Sequence, residues 1–166
     1  DYADIEVVEP FKPHKIKDIT LTFTPSILPW GEPPENGFIV DDGEVVIWNQ
    51  VDSVVTPEVI NNIKKLCGQI DLAHVRFETL LEGNFAFHQP LQLPFVEYQS
   101  FLQMVKMLSP KFILPGSAAF RYSDQFGFLN NFSFPISPQQ FLNDLSEFCP
   151  GVKKSSFAHG DVAEIS

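Results

Sequence analysis

Residues 45–52 read Val-Val-Ile-Trp-Asn-Gln-Val-Asp, an apolar run that ends in one carboxylate, Asp52. β-Branched and aromatic side chains are typical of a strand. A helix start follows, with Thr56 as N-cap, Pro57 in the first helical position and Glu58 favourably placed against the helix dipole. The stretch therefore predicts a strand that delivers Asp52 into a turn before a helix, and several hydrolase folds present a metal ligand in this way.

The residues before this stretch and within it predict an antiparallel meander. Residues 19–24 alternate with a period of two and are rich in β-branched side chains, and Pro25 ends the run. Residues 36–40 and 44–48 are two further strand-like runs, joined by Asp41-Asp42-Gly43, a short turn sequence of the type that makes hairpins. We expect these strands to be neighbours in one sheet.

Amphipathic helices alternate with apolar strands in the rest of the chain. Helices are predicted from Thr56 to Gly68, along the apolar stripe from Tyr98 to Leu108, and from Ser137 to Pro150, and strands are predicted at 70–77, 111–115, 152–157 and 162–165. The strand at 111–115 runs into Gly116-Ser117, and loops in such positions commonly hold sites. The pattern predicts one α/β domain over residues 1–166, built on a mixed β-sheet.

The composition argues against several classes of partner. With 21 acidic against 11 basic residues the net charge is −10, so the chain lacks the basic surface that nucleic acid requires. No apolar run reaches the ~20 residues that span a bilayer. The N-terminus shows no basic segment followed by an apolar one, so we expect no membrane partner and predict a cytoplasmic location. Cys67 and Cys149 lack a metal-binding spacing and are predicted to be buried free thiols.

The order of these segments resembles the C-terminal half of metallo-β-lactamase-fold hydrolases, in particular the branch with ascorbate-6-phosphate lactonases and N-acyl-phosphatidylethanolamine hydrolases. The resemblance is carried by residues 19–26, by Trp30 with 36–40, by 45–53, by 114–117, by 134–141 and by the closing 152–165. It implies one leaf of an αββα sandwich, in which helices cover one face of a mixed sheet. It also implies a metal-dependent hydrolase, with zinc or another divalent metal as the cofactor.

The resemblance places one metal ligand in this chain and leaves other ligand positions unfilled. The family's metal-bridging aspartate matches Asp52, whereas Ser26 or Ile27 stands at the position of one metal-binding histidine and Gly116 or Ser117 at that of another. Hydroxyl groups are poor zinc ligands at neutral pH, and the HxHxDH signature of the family's first half does not occur. The four histidines, His14, His74, His88 and His159, stand elsewhere and are predicted to be surface or core-edge residues. We therefore expect a degenerate or incomplete metal site.

A single leaf of a sandwich has a sheet face that needs a cover. An exposed apolar face would exceed the patch of a few hundred Å² that soluble monomers tolerate. Three covers are consistent with the sequence: an N-terminal half-domain that is missing or supplied as a separate chain, a second copy in a homo-oligomer, or the Phe-containing insertion at 82–94 folding back. The first is the expectation that we favour.

Each candidate site residue has a structural alternative. Asp52 is a metal ligand or a residue that caps the turn before the helix. Ser117 and Arg121 could form a small anion pocket, although Arg121 could equally neutralise nearby acids. Trp30 could be a lid or a recognition surface, or could pack on the core, and Ser26 completes the set that we predict to contact a small-molecule ligand.

Two functions remain open from the sequence. One is a metal-dependent hydrolase-like protein, and the other is a non-catalytic scaffold or binding protein of the same fold that assembles with another chain or with itself. A serine nucleophile elbow and a glycine-rich phosphate loop do not occur in the sequence, so it supports no other catalytic machinery.

Overall fold

A mixed β-sheet runs through the computed structural model of the chain, which describes residues 6–26, 35–50, 52–78, 81–116, 121–158 and 160–165. Seven strands in this part of the chain lie side by side in chain order: β1 (Pro13–Ile16), β2 (Ile19–Pro25), β3 (Asn36–Asp41), β4 (Val46–Asn49), β5 (Leu72–Arg76), β6 (Phe112–Gly116) and β7 (Lys153–Lys154). The first four strands form an antiparallel meander, and β4 to β7 are parallel. The predicted α/β class with a mixed sheet is confirmed.

The three predicted helices form, and two short helices and a 3-10 helix that were not predicted are also present. They are α1 (Pro57–Cys67), α2 (Glu82–Ala86), α3 (Phe95–Leu108), α4 (Asn130–Ser133) and α5 (Pro138–Phe148), and a 3-10 helix over Asp124–Leu129 precedes α4. Thr56 Oγ1 accepts a hydrogen bond from the Val59 amide, and Ser137 Oγ accepts one from the Gln140 amide. Gly68 ends α1 with a positive φ of 70°.

One face of the sheet forms the core with α1, α3 and α5. Ile39, Trp48, Ala73 and Ile113 lie next to one another across β3 to β6, and each is at most 1% exposed. The helices contribute a matching set of buried side chains, among them Ile60, Ile63, Phe101, Val105, Phe141 and Leu145. Burial of this apolar surface is the main stabilising contribution to the fold.

The opposite sheet face, here called the open face, is less completely covered. Leu21, Phe38, Val40, Ile47 and Leu114 alternate with the core residues and are half-buried. The C-terminal residues reach one part of it, because the Phe157 ring lies 6.5 Å from the Phe112 ring and residues 163–165 line a groove with Leu72 and Phe112.

The two ends of the sheet differ from the prediction. The strand predicted at 152–157 is reduced to Lys153–Lys154, and residues 162–165 do not form the predicted strand. Just before them, the Ala158 amide donates to Asp161 Oδ2. Strand β1 was not predicted, since Pro13 and Lys15 give it a weak strand pattern.

Further predictions concern the thiols and the membrane. Cys67 and Cys149 are both free, and Cys149 is buried as predicted, whereas Cys67 is only partly buried. Burial raises the pKa of the Cys67 thiol to about 11. In the described ranges, no helix has the length and apolar character needed to cross a bilayer.

Candidate functional site

The candidate site is the edge of the sheet at which β4, β5 and β6 end, here called the carboxyl edge. Because β2 runs parallel to β4, Ser26 reaches the same edge, as do Asp52 after β4 and Gly116 at the end of β6. Ligands of open α/β sheets bind preferentially at the carboxyl ends of strands. The structure thus places three of the ligand positions that the resemblance implies along one edge.

Asp52 lies in a turn that neighbouring side chains hold in place. This turn, residues 50 and 52–54, is here called the Asp52 turn. Gln50 is 1% exposed, and its amide group donates to the Ser53 carbonyl (2.9 Å) and accepts from the Arg76 amide (3.1 Å). Ser53 Oγ donates back to the Gln50 carbonyl (2.5 Å), and Arg76 Nη1 donates to the Asp52 carbonyl (2.9 Å). The main chain of the turn is fixed, while the Asp52 side chain is exposed.

Ser26 also supports the Asp52 turn. Its hydroxyl oxygen accepts a hydrogen bond from the Val54 amide at 2.9 Å. Nearby, a side chain at Gly37 would lie 2.6 Å from Thr24 Oγ1 and 2.9 Å from the Asn49 carbonyl oxygen, so only glycine fits there. The Ser26 hydroxyl therefore has a structural contact, and its predicted role in ligand binding stays a prediction.

His74, on β5, fills the space above Gly116. Its Nδ1 lies 3.0 Å from Asn49 Oδ1, a hydrogen bond in which Nδ1 donates when it carries the ring proton. The Nε2 side of the ring faces the Gly116 Cα so closely that a Cβ at residue 116 would overlap the imidazole. Burial lowers the pKa of His74, and the nearby Asp52 carboxylate opposes that shift. The ring is consequently held between Asn49 and Gly116.

Glu78, just beyond β5, is a buried acid with an unsatisfied oxygen. The residue is 5% exposed, and Oε1 has no hydrogen-bond partner among the residues that the structure describes. Burial raises the pKa of Glu78 to about 7; Arg76 opposes this shift and Asp52 adds to it. The Arg76 side chain lies against the Phe101 ring, with its guanidinium carbon 5.8 Å from the ring centre, and Nε donates to the Glu78 carbonyl (3.3 Å).

The remaining predicted residues are less informative. Arg121 is exposed. Ser117 and Trp30 lie outside the described residues, so the predicted anion pocket and lid cannot be placed. Among the other histidines, His14 lies on β1 opposite Leu21, His88 is exposed after α2, and His159 is outside the described residues.

Sequence reasoning missed Glu78 and the role of His74. The available signals were an acid directly after the strand prediction at 70–77 and a histidine on the strand position that alternates with the core residues. Both signals are weak, because the sequence does not show how β4, β5 and β6 align. That alignment brings His74 between Asn49 and Gly116 and places Glu78 beside the strand ends.

The side chains described at the carboxyl edge do not by themselves fit a metal ion. Within the described ranges, no three His, Cys, Asp or Glu side chains are grouped so that they could hold one. Asp52 and His74 are the nearest candidates at the edge, but Nδ1 of His74 contacts Asn49 Oδ1, and the Nε2 side of the ring fills the space that a side chain at residue 116 would take. A zinc site of the hydrolytic type uses three protein ligands and a water.

Comparison with known proteins identifies the fold. No protein-family model and no curated protein matches the sequence. Among solved structures, the CmlA beta-hydroxylase E377D mutant is similar with a TM-score of 0.62 and 14% identity, over 94% of this chain and 33% of that one. The metallo-beta-lactamase fold protein YhfI from Bacillus subtilis is similar with a TM-score of 0.56 and 14% identity, over 93% of this chain and 53% of that one.

This chain thus spans about a third and about half of the length of these two structures. At 14% identity the likeness concerns the fold alone, and the branch and the C-terminal-half assignment stay predictions. The chain has a fold of the metallo-β-lactamase type.

Proposed function

We propose that the chain is a hydrolase-like protein of the metallo-β-lactamase fold whose metal site is incomplete, with Asp52 as its one metal donor. The observation that carries the proposal is the carboxyl edge itself. Asp52 is an exposed acid on a turn at the carboxyl ends of the strands, and the Ser26 hydroxyl, the His74 ring and the Arg76 guanidinium lie around the same turn and strand ends.

The donor chemistry supports an incomplete site. A hydrolytic metal ion, when bound, supplies an activated water, and that requires several nitrogen or carboxylate ligands around one ion. The described residues offer one exposed carboxylate at this place. Further donors for zinc or another divalent metal would have to come from residues outside the described part or from another chain.

We also propose that a further protein layer covers the open face. The support is the row of half-buried apolar side chains, including Phe38, Val40 and Ile47, together with the greater length of the two similar structures. The cover that we favour is an N-terminal half-domain, and the second is another copy of this chain. In the alternative function the chain is a scaffold or binding protein. Its role is then to bind the protein layer on the open face, and no metal takes part.

Metal analysis with an Asp52→Asn variant separates these functions. For the hydrolase-like protein, the product of the full reading frame should contain zinc, iron or manganese, and Asp52→Asn should lower that content at least several-fold. The matched control is Asp18→Asn, which changes an exposed acid in the turn between β1 and β2.

The outcomes are distinct. Metal content that is unaffected by Asp52→Asn would contradict the assignment of Asp52. Stoichiometric metal on the 166-residue chain alone would contradict an incomplete site. Protein without metal from either form would favour the scaffold.

A further inference from the structure

Glu78 and Arg76 form a contact that links the charge of a buried acid to the Asp52 turn. Glu78 is 5% exposed, and within the described part of the chain its Oε1 has no hydrogen-bond partner. A buried oxygen without a partner is costly, and the cost is greater for a carboxylate than for a neutral carboxyl group. The site therefore suits Glu78 in its protonated form.

The guanidinium of Arg76 is directed at main-chain oxygens. Nη1 donates to the Asp52 carbonyl at 2.9 Å and Nε donates to the Glu78 carbonyl at 3.3 Å. The ion pairs found in the described part of the chain do not involve Arg76. The Arg76 guanidinium thus bridges the end of β5 and the Asp52 turn. It contacts the main chain of Glu78 but forms no ion pair with the Glu78 carboxyl group.

The charged groups around Glu78 come from several elements. Arg76 comes from β5 and Asp52 from the turn after β4, and both act on Glu78 directly. Glu97, in the first turn of α3, acts on Arg76, and His74, lower on β5, interacts with Asp52. Among these groups Arg76 is the permanent cation, so it is the natural counter-ion if Glu78 becomes charged.

We propose that Glu78 and Arg76 form a pH-sensitive latch on the Asp52 turn. When Glu78 is protonated, Arg76 binds the Asp52 carbonyl. When Glu78 releases its proton to solvent, Arg76 pairs with the new carboxylate and leaves the Asp52 carbonyl. The bonds from Gln50 remain, so the turn is loosened and not unfolded.

The pKa of Glu78 supports this latch, because burial raises it to about 7 and the change of charge then falls near neutral pH. The latch is tested on the metal-free chain, so its failure is distinguishable from failure of the proposed function, which is tested by metal content.

NMR spectroscopy of the wild-type chain tests the latch directly. The ¹³C shift of the Glu78 carboxyl group, followed from pH 5.5 to pH 9, should show a titration with its midpoint near 7. The Ser53 amide donates to the Gln50 carbonyl within the turn, so its hydrogen exchange reports on the turn. After correction for the intrinsic pH dependence of exchange, its protection should fall about tenfold across the same midpoint.

Two variants assign the transition. Glu78→Gln should remove it and keep the low-pH exchange pattern at every pH. Glu97→Gln is the matched control, because Glu97 also acts on Arg76 but is exposed, and this variant should retain the transition.

Three results would overturn the latch. One is a Glu78 carboxyl group that does not titrate between pH 6 and pH 8 in the wild type, a measurement that needs no variant to fold. Another is Ser53 protection that does not follow that titration. The third is a transition that survives Glu78→Gln, which would assign it to another titratable group near Arg76 and Asp52, such as Glu97 or His74.

Discussion

At the scale of single residues, the contact of His74 with Gly116 is the tightest constraint at the carboxyl edge. A side chain at residue 116 would overlap the imidazole, and the ring is held on its other side by Asn49. Because the ring has little room to move, we expect Gly116→Ala to lower the free energy of unfolding by about 1–3 kcal/mol, the usual cost of overpacking.

Urea denaturation measures this cost. The matched control is Gly151→Ala, because a Cβ at Gly151 meets no atom within 4 Å. Equal stabilities of the two variants would show that His74 does not occupy the space above Gly116.

The raised pKa of Glu78 should make the stability of the chain depend on pH. Its pKa is about 7 in the folded chain and 4.5 in the reference state, so the folded state binds the proton more tightly. The free energy of unfolding therefore falls as pH rises from the unfolded pKa of 4.5 through the folded pKa of about 7. Glu78→Gln removes this loss, so its free energy of unfolding relative to wild type should rise by about 1–3 kcal/mol between pH 5 and pH 8.5.

Urea denaturation at several pH values provides the test. A difference between Glu78→Gln and wild type that stays constant from pH 5 to pH 8.5 would show that Glu78 does not have a raised pKa.

Residues that act locally could be predicted from the sequence, and those that act across strands could not. Thr56, Ser137 and Gly68 were identified as helix ends because capping depends on residues three or four positions away. His74 and Glu78 obtain their roles from partners on other strands and turns, so spacing along the chain contained little information about them.

At the scale of the elements, Asp71 joins the beginnings of three parallel strands. Its carboxylate accepts from the Val46 amide (2.8 Å) at the start of β4 and pairs with Lys111 Nζ (2.6 Å) just before β6. The side-chain hydrogen bond from Lys111 and the bond from Val46 hold the pKa of Asp71 below its usual value. The ionised form of this acid thus stabilises the parallel half of the sheet.

We expect Asp71→Asn to destabilise the chain by about 1–3 kcal/mol at pH 7, because it weakens charge-assisted hydrogen bonds of a buried group. Since the folded pKa is lowered, this contribution is present above the unfolded pKa and is lost as pH falls through the folded one. Chemical denaturation at pH 7 and at acid pH should show a difference that shrinks in acid, and Asp18→Asn serves as the control for removal of an exposed acid.

The elements with a clear period were predicted, and those with weak patterns were not. The meander and the three long helices agree with their strand and helix periods. The closing segment has apolar residues at 152, 157, 162 and 165, which suggested two strands. Phe157 and Ile165 instead lie over part of the open face and do not belong to a strand.

At the scale of the whole molecule, the two faces of the sheet have unequal cover. The helix face is buried, and the open face carries half-buried side chains such as Phe38 and Ile47. If a further layer belongs there, the isolated 166-residue chain should bind a hydrophobic dye or self-associate.

Ile47→Lys places a charge in the middle of the open face and should reduce dye binding or association several-fold. Dye fluorescence and light scattering measure these effects. Phe87→Lys is the matched control, because Phe87 is 76% exposed on the insertion at 82–94. A monodisperse monomer without dye binding would contradict the proposed cover. If Phe87→Lys reduced dye binding and Ile47→Lys did not, the dye would bind the insertion at 82–94 and not the open face.

Zinc titration of the isolated chain by calorimetry measures whether Asp52 has enough further donors at the carboxyl edge to form a metal site. We expect no zinc site tighter than about 10 μM, since structural and catalytic sites of much higher affinity need three or four protein ligands. One equivalent of tightly bound zinc that is lost on Asp52→Asn would contradict this expectation.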